Sequence, residues 1–212
     1  MVVTKRRDGR AGNELRPFAS EQGALFRADG SARMSHGSSA VLAAVYGPGQ
    51  AKQRRNEQID RATIDVCFKL EKGTTTSKEK EYEQIIRETF APAILLDSFP
   101  RAVISIVVQV IEDNGSILSV AINAVSLALM DAGIPMTALV TSATCAIFPD
   151  GSLVLDPSTT EEEASAAIGA WPNGLMSEEQ YFACSEACQR ASESVAAFFR
   201  IVQQKKYPTG AN

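Results

Sequence analysis

Polar and apolar positions follow two rhythms along this chain. From Ile64 to Leu70, the residues Ile64, Val66, Phe68 and Leu70 alternate with Asp65, Cys67 and Lys69, which predicts a strand with one face on a core and one outward. Leu25 to Pro48 reads as a meander, with Ala28-Asp29-Gly30 as a turn and Val41 to Tyr46 as a short apolar run of β character. Val103 to Ile111 is nearly continuous in Val and Ile, the pattern of a strand buried on both faces. Elsewhere the spacing is helical. Ile85, Ile86, Phe90, Ile94 and Leu95 form a stripe over a helix from about Lys78 to Leu96, with Ser77 placed to cap it and Pro92 expected to bend it. A second helix runs from about Ser116 to Asp131 and is closed by Gly133 and Pro135. A strand is predicted over Leu139 to Phe148, joined by the Pro149-Asp150-Gly151 turn to Leu153 to Leu155. Ser177-Glu178-Glu179-Gln180 is a capping box. The helix it opens carries a stripe of Tyr181, Ala187, Ala191, Val195, Phe198, Phe199 and Val202, and Lys205 and Lys206 complement the carboxyl end of its dipole. Strands and helices alternate, which predicts an α/β (α+β) chain with a mixed sheet, packed helices and a long C-terminal helix.

Length changes this picture little: 212 residues, 45% hydrophobic, are enough for one domain over 1–212 with a real core. The segment 1–10 is expected to be flexible. Its cations, Lys5, Arg6, Arg7 and Arg10, precede no apolar stretch of the secretory type, so a reducing compartment is expected. The longest apolar run, Ile117 to Met130, is short for a membrane span and bounded by Asp113 and Asp131. A net charge of −4 argues against an indiscriminate nucleic-acid binder but leaves room for local basic patches. Cys67, Cys145, Cys184 and Cys188 show no CxxC pairing. Cys184 and Cys188 share a helix face, which would make half a metal site. With no second ligand pair, the expectation is small packing residues and no metal. The only histidine, His36, has no sequence neighbour to orient it as a catalytic base.

The most informative stretch is Asp113-Asn114-Gly115-Ser116-Ile117. A glycine turn opens a helix here, so free amides and the positive dipole end form an anion site of the kind that takes phosphate. An enzyme using it would want a guanidinium to pair two phosphate oxygens; this chain has Ile117. Taken with Arg7-Asp8-Gly9-Arg10, Asn13-Glu14-Leu15-Arg16-Pro17, Ala28-Asp29-Gly30-Ser31-Ala32, Val41 to Pro48 and Val154-Leu155-Asp156-Pro157, the chain closely resembles the RNase PH family. Lys78-Glu79-Lys80-Glu81-Tyr82-Glu83 and the Gly-Ser-Ile-Leu in place of Gly-Thr-Arg are similar to the branch found in the ring of the eukaryotic RNA exosome.

The resemblance implies an RNase PH fold of the ribosomal protein S5 domain 2-like type. It also implies three catalytic parts: a phosphate clamp, an acidic pair after Leu-Asp-Pro, and arginines before the first long helix. Gly115 and Ser116 match the clamp, as a vestigial phosphate site. Ala164 to Trp171, where the acidic pair is expected, contains no carboxylate, and the run Glu161-Glu162-Glu163 upstream reads as a solvated face. The arginine positions correspond to Glu79 and Lys80, with Lys78 adjacent. No catalytic residue, cofactor or metal is therefore expected. Ser158 to Met176 is short for the family's strand pair, which predicts a shortened hairpin over 158–176. The implied role is a non-catalytic ring subunit in 3′–5′ RNA processing and degradation, in nucleus, nucleolus and cytoplasm. The implied partners are other RNase PH-type subunits in a six-membered ring, cap proteins and a hydrolytic nuclease. Lys52, Arg54, Arg55, Lys78 and Lys80 are the candidates for contacting single-stranded RNA. Taken by itself the basic loop holding the first three reads as a solvated hairpin, and it is the resemblance that implies it faces an RNA channel; Lys5-Arg6-Arg7 reads equally as a frayed terminus. The opposing expectation is an active phosphorolytic exoribonuclease, or a homodimeric nuclease outside any ring.

Overall fold

The computed structural model describes residues 6, 9–50, 58–71, 77–165, 167–168 and 176–207, with backbone alone for 167 and 168. Five strands, β1 (Phe18–Gln22), β2 (Gly30–His36), β3 (Ser39–Gln50), β4 (Thr63–Lys69) and β5 (Ala102–Glu112), form one sheet in the order β1-β2-β3-β5-β4. All pairings are antiparallel except β4 with β5, which are parallel and joined through helix α1 (Ser77–Phe90) and a 3₁₀ turn at Leu96–Ser98. The meander and the alternating strand are as the sequence implies. The edge strand β1 had no strong apolar signal.

Helix α2 (Ile117–Asp131) lies across this sheet with most of its circumference buried, mainly against β2 and β3. Ala32, Met34, Val41, Ala43, Val45, Ile104, Ile106, Val108 and Val110 supply the facing surface. Gly30 permits the closest approach: a Cβ there would stand 2.3 Å from the Ala132 amide nitrogen and 2.4 Å from the Ala128 carbonyl. β5 departs from expectation, because only its alternate residues are fully buried and Val103, Ser105 and Val107 are half-buried on the other face. α1 also departs, ending at Phe90 rather than bending at Pro92; a proline has no amide hydrogen to carry a helix onward, and residues 91–93 form a turn.

A smaller antiparallel sheet has the order β7 (Leu153–Leu155), β6 (Cys145–Ile147), β8 (Ala167–Ile168), and β7 leads directly into Asp156. The strand predicted from Leu139 is confined to Cys145–Ile147. Residues 139–144 are instead held by α2 side chains: Asn123 donates to the Ser142 carbonyl and accepts from its amide, both at 2.8 Å, and Ser126 donates to the Val140 carbonyl at 2.5 Å. A short helix not anticipated from sequence, α3 (Thr159–Ala164), follows β7 and opens with a capping box of Ser158 and Glu161. β8 lies inside the segment 158–176 for which a shortened hairpin is expected, and residues 166 and 169–175 of that segment lie outside the described residues.

The final helix, α4 (Glu178–Lys206), starts from the expected box, the Ser177 amide donating to Gln180 and the Gln180 amide to the Ser177 hydroxyl. Its buried stripe is Cys184, Ala191, Val195 and Phe199, whereas Tyr181 is exposed. Lys206 at its end pairs with Asp131 at the end of α2. Among the described residues no helix is long and apolar enough to cross a membrane.

Candidate active site

β7 runs into Asp156, a buried carboxylate on a backbone with φ of 51°. Arg16 grips it with two guanidinium bonds, 2.7 Å to Oδ2 and 2.6 Å to Oδ1, and the Arg16 amide donates a third at 3.0 Å. Arg10 adds a contact at 3.2 Å. Burial pushes the Asp156 carboxyl up, but the hydrogen bonds and charge of Arg16 and the neighbouring His36 outweigh it and hold it below the usual carboxylate range. The same Arg16 guanidinium donates to the carbonyls of Asn114, at 2.9 Å, and Gly115, at 3.3 Å. Asp156 and the glycine turn are thus fixed to each other through one side chain. Ser39 completes the joint, donating to the Gly115 carbonyl at 2.8 Å and accepting from the Asn114 amide at 3.1 Å.

His36, at the end of β2, is oriented after all. Its Nε2 lies 3.3 Å from Asp156 Oδ2, out of hydrogen-bond alignment, and its ring stacks on Phe18 at 4.4 Å. Burial and the flanking guanidiniums push its pKa down to about 4 despite the Asp156 charge, so the imidazole is neutral at pH 7. Arg6 is not frayed: only 7% exposed, it donates to both carboxylate oxygens of Glu161, at 2.9 and 2.7 Å, and to the carbonyls of Leu155 and Asp156.

At the glycine turn, the donors of the expected phosphate site are already engaged. The Gly115 amide donates to Asp113 Oδ1 at 3.1 Å, and the Ser116 amide to Glu162 Oε1 at 2.5 Å. The Ser116 hydroxyl donates to the Pro157 carbonyl at 3.0 Å. Ile117, where a cation would be wanted, is buried in the main core. The backbone of Pro157 to Thr159 crosses the turn so closely that a Cβ at Gly115 would meet the Pro157 carbonyl oxygen at 2.5 Å. This corrects the expectation that Glu161, Glu162 and Glu163 form a solvated face. Glu161 is tied to Arg6 and Glu162 to Ser116, and only Glu163 is exposed. Burial pushes the Glu162 carboxyl up, aided by Asp113 and Asp156 and opposed by the Ser116 amide and Arg16. A carboxylate therefore does stand at the turn, contributed from α3 and upstream of the stretch where one was expected.

Lys78 and Lys80 project from the first turn of α1 and are exposed. Glu79 between them is buried, accepting from the Leu70 amide at 3.1 Å and pairing with Lys69, so it closes the end of β4. Tyr82, one turn on, has its hydroxyl pushed up by burial and by the charges of Glu162, Asp113 and Glu81. Lys52, Arg54 and Arg55 lie outside the described residues.

The chain belongs to the 3′ exoribonuclease (RNase PH) family, whose domain 1 model matches residues 14–135. It is 38% identical to the protein named exosome complex exonuclease RRP46 homolog of Arabidopsis thaliana, over 92% of this chain and 94% of that one. It is 32% identical to the exosome complex component Rrp41 of Thermococcus kodakarensis, over 96% and 90%. The crystal structure of rice (Oryza sativa) Rrp46 superposes with a TM-score of 0.87 at 38% identity, covering 92% of this chain and 98% of that one. An Archaeoglobus fulgidus exosome chain, at 19% identity over 92% of this chain and 93% of that one, shares the fold with a TM-score of 0.80.

Proposed function

We propose that this chain is a non-catalytic structural subunit of the RNA exosome core ring, where it supports 3′–5′ processing and degradation of RNA and helps line the RNA path. The exosome names of its relatives support the assembly. One observation carries the non-catalytic reading: both amides of the Gly115-Ser116 turn and the Ser116 hydroxyl are bonded within the chain, two of them to its own Asp113 and Glu162. Inorganic phosphate entering this turn would have to displace one carboxylate and meet the other, with Ile117 offering no cation in return. Loss of one preorganised electrostatic group costs about 10² to 10³ in rate. Its partners on this reading are other RNase PH-type subunits in a six-membered ring, cap proteins and a separate hydrolytic nuclease. Single-stranded RNA would meet Lys52, Arg54, Arg55, Lys78 and Lys80 through salt-sensitive phosphate contacts. Nucleus, nucleolus and cytoplasm are the compartments this role calls for.

The alternative, a phosphorolytic exoribonuclease or homodimeric nuclease, is favoured by the same Glu162. A half-buried carboxyl with a raised pKa beside the turn is what a general acid for the leaving 3′ oxygen requires. The two readings separate in one assay of the purified chain on single-stranded RNA, with and without phosphate. The structural reading expects no phosphate-dependent release of nucleoside diphosphates, from wild type or from Glu162→Gln. Release by the wild type that disappears in Glu162→Gln establishes the enzyme instead. Ring membership is tested separately by co-purification of the tagged protein from cells, and recovery without other ring subunits refutes it.

A further inference from the structure

Cys145 and Cys184 are joined by a disulfide across 39 residues, linking the first residue of β6 to the second turn of α4. The expectation that Cys184, with Cys188, is a small packing residue is corrected for Cys184 by the disulfide. The bond lies in a small apolar cluster of its own, with Ile147, Leu155 and Ala191, separate from the main core and holding few large side chains. Cys188 packs at its margin, where burial pushes its thiol up to about 11, and Cys67 is exposed on β4. The position of the link matters as much as its presence. Cys145 is the register partner of Leu155, the residue before Asp156, so the cross-link braces the strand that delivers the buried carboxylate to Arg16 and leads on to α3.

We propose that Cys145 and Cys184 constitute a redox-responsive staple that fixes the amino-terminal half of α4 onto the β6-β7 sheet behind the Asp156 joint. With a small-molecule disulfide such as glutathione disulfide as oxidant, a Cys184 thiolate attacks one glutathione sulfur and releases one glutathione thiolate. The Cys145 thiolate then attacks Cys184 Sγ in the mixed disulfide and expels the second. Two protein thiols are oxidised and one glutathione disulfide is reduced. Both protein sulfurs belong to residues at most 6% exposed, so reversal by an external thiol requires α4 to lift first. Cys188, with its elevated pKa, is a poor internal nucleophile and leaves the bond alone.

The test uses the full chain equilibrated natively with oxidised or reduced glutathione, then denatured and alkylated. After oxidation, two of the four cysteines are expected to be alkylated, Cys67 and Cys188, with one disulfide-linked peptide pair containing Cys145 and Cys184. After prolonged reduction all four are expected to react, and the thermal midpoint is expected to fall by several degrees. Cys67→Ser and Cys188→Ser, which remove neither half of the link, are expected to keep the full reductant-dependent shift. Cys145→Ser is expected to lose it. Four reactive thiols after oxidation, a different linked pair, or a midpoint indifferent to reductant in wild type and in Cys188→Ser would each overturn the proposal.

Discussion

Asp156 shows how one buried charge dictates its neighbours. Three donors from Arg16 and a contact from Arg10 compensate it, and that compensation is what holds the amino-terminal segment against the glycine turn. Replacing Arg16 by methionine keeps the bulk but strands the carboxylate. A loss of about 3 to 5 kcal/mol in urea unfolding is expected, the range for breaking a buried pair from one side. His36 gives a second, pH-dependent handle. It sits at about 4 in the folded chain against 6.5 unfolded, so between those values the unfolded chain holds the extra proton. Stability therefore falls as pH drops from about 6.5 towards 4, by up to about 3 kcal/mol at 1.36 kcal/mol per pH unit of displacement. The contribution of Asp156, whose pKa is lowered, persists through this window and is lost only below the ordinary carboxylate value. Urea midpoints of wild type and His36→Gln between pH 7 and pH 4.5 check this; the variant should show the shallower decline.

The elements divide by whether their cause is local. α2 and α4 were legible because their signals are local: an apolar run closed by Gly133 and Pro135 for α2, and a capping box followed by a helical stripe for α4. β1 was not, because Phe18-Ala19-Ser20-Glu21-Gln22 is an edge strand with polar residues on both sides of the alternation. The strand over Leu139 to Phe148 was overextended because Asn123 and Ser126, which take the backbone of 140–142, are distant in sequence. The glycine turn itself was recognisable, but its internal occupation was not. A run of three glutamates carries no mark of which one faces an amide, and Ser116 and Glu162 are 46 residues apart. The β2–α2 contact offers a direct test of packing. Gly30→Ala drives a Cβ into two backbone atoms that cannot swing aside, so destabilisation of about 1 to 3 kcal/mol or more is expected in thermal melts. Gly49→Ala, where a Cβ meets nothing within 4 Å, is the matched control.

Across the whole molecule, the five-stranded sheet ends in β1 on one side and β4 on the other, each with a strand neighbour on one side only among the described residues. Open edges are hazards that natural sheets cover, and a ring would supply the cover from adjacent subunits. If so, apparent stability follows mass action. Adding purified neighbouring RNase PH-type subunits is expected to raise the thermal midpoint in a concentration-dependent way, while Lys78→Ala with Lys80→Ala leaves that midpoint alone and weakens RNA retention at low salt. A midpoint unmoved by any partner argues against the ring.

The grip of Arg6 on Glu161, 155 residues further along, ties the start of the described chain to a segment synthesised much later. Arg6, Arg10 and Arg16 leave the ribosome well before Asp156 and Glu161, with which they pair in the folded chain. Contacts of such long separation slow folding, so this joint is expected to close late. A product cut short before Asp156 is expected to lack these ion pairs and to hold its amino-terminal segment less firmly.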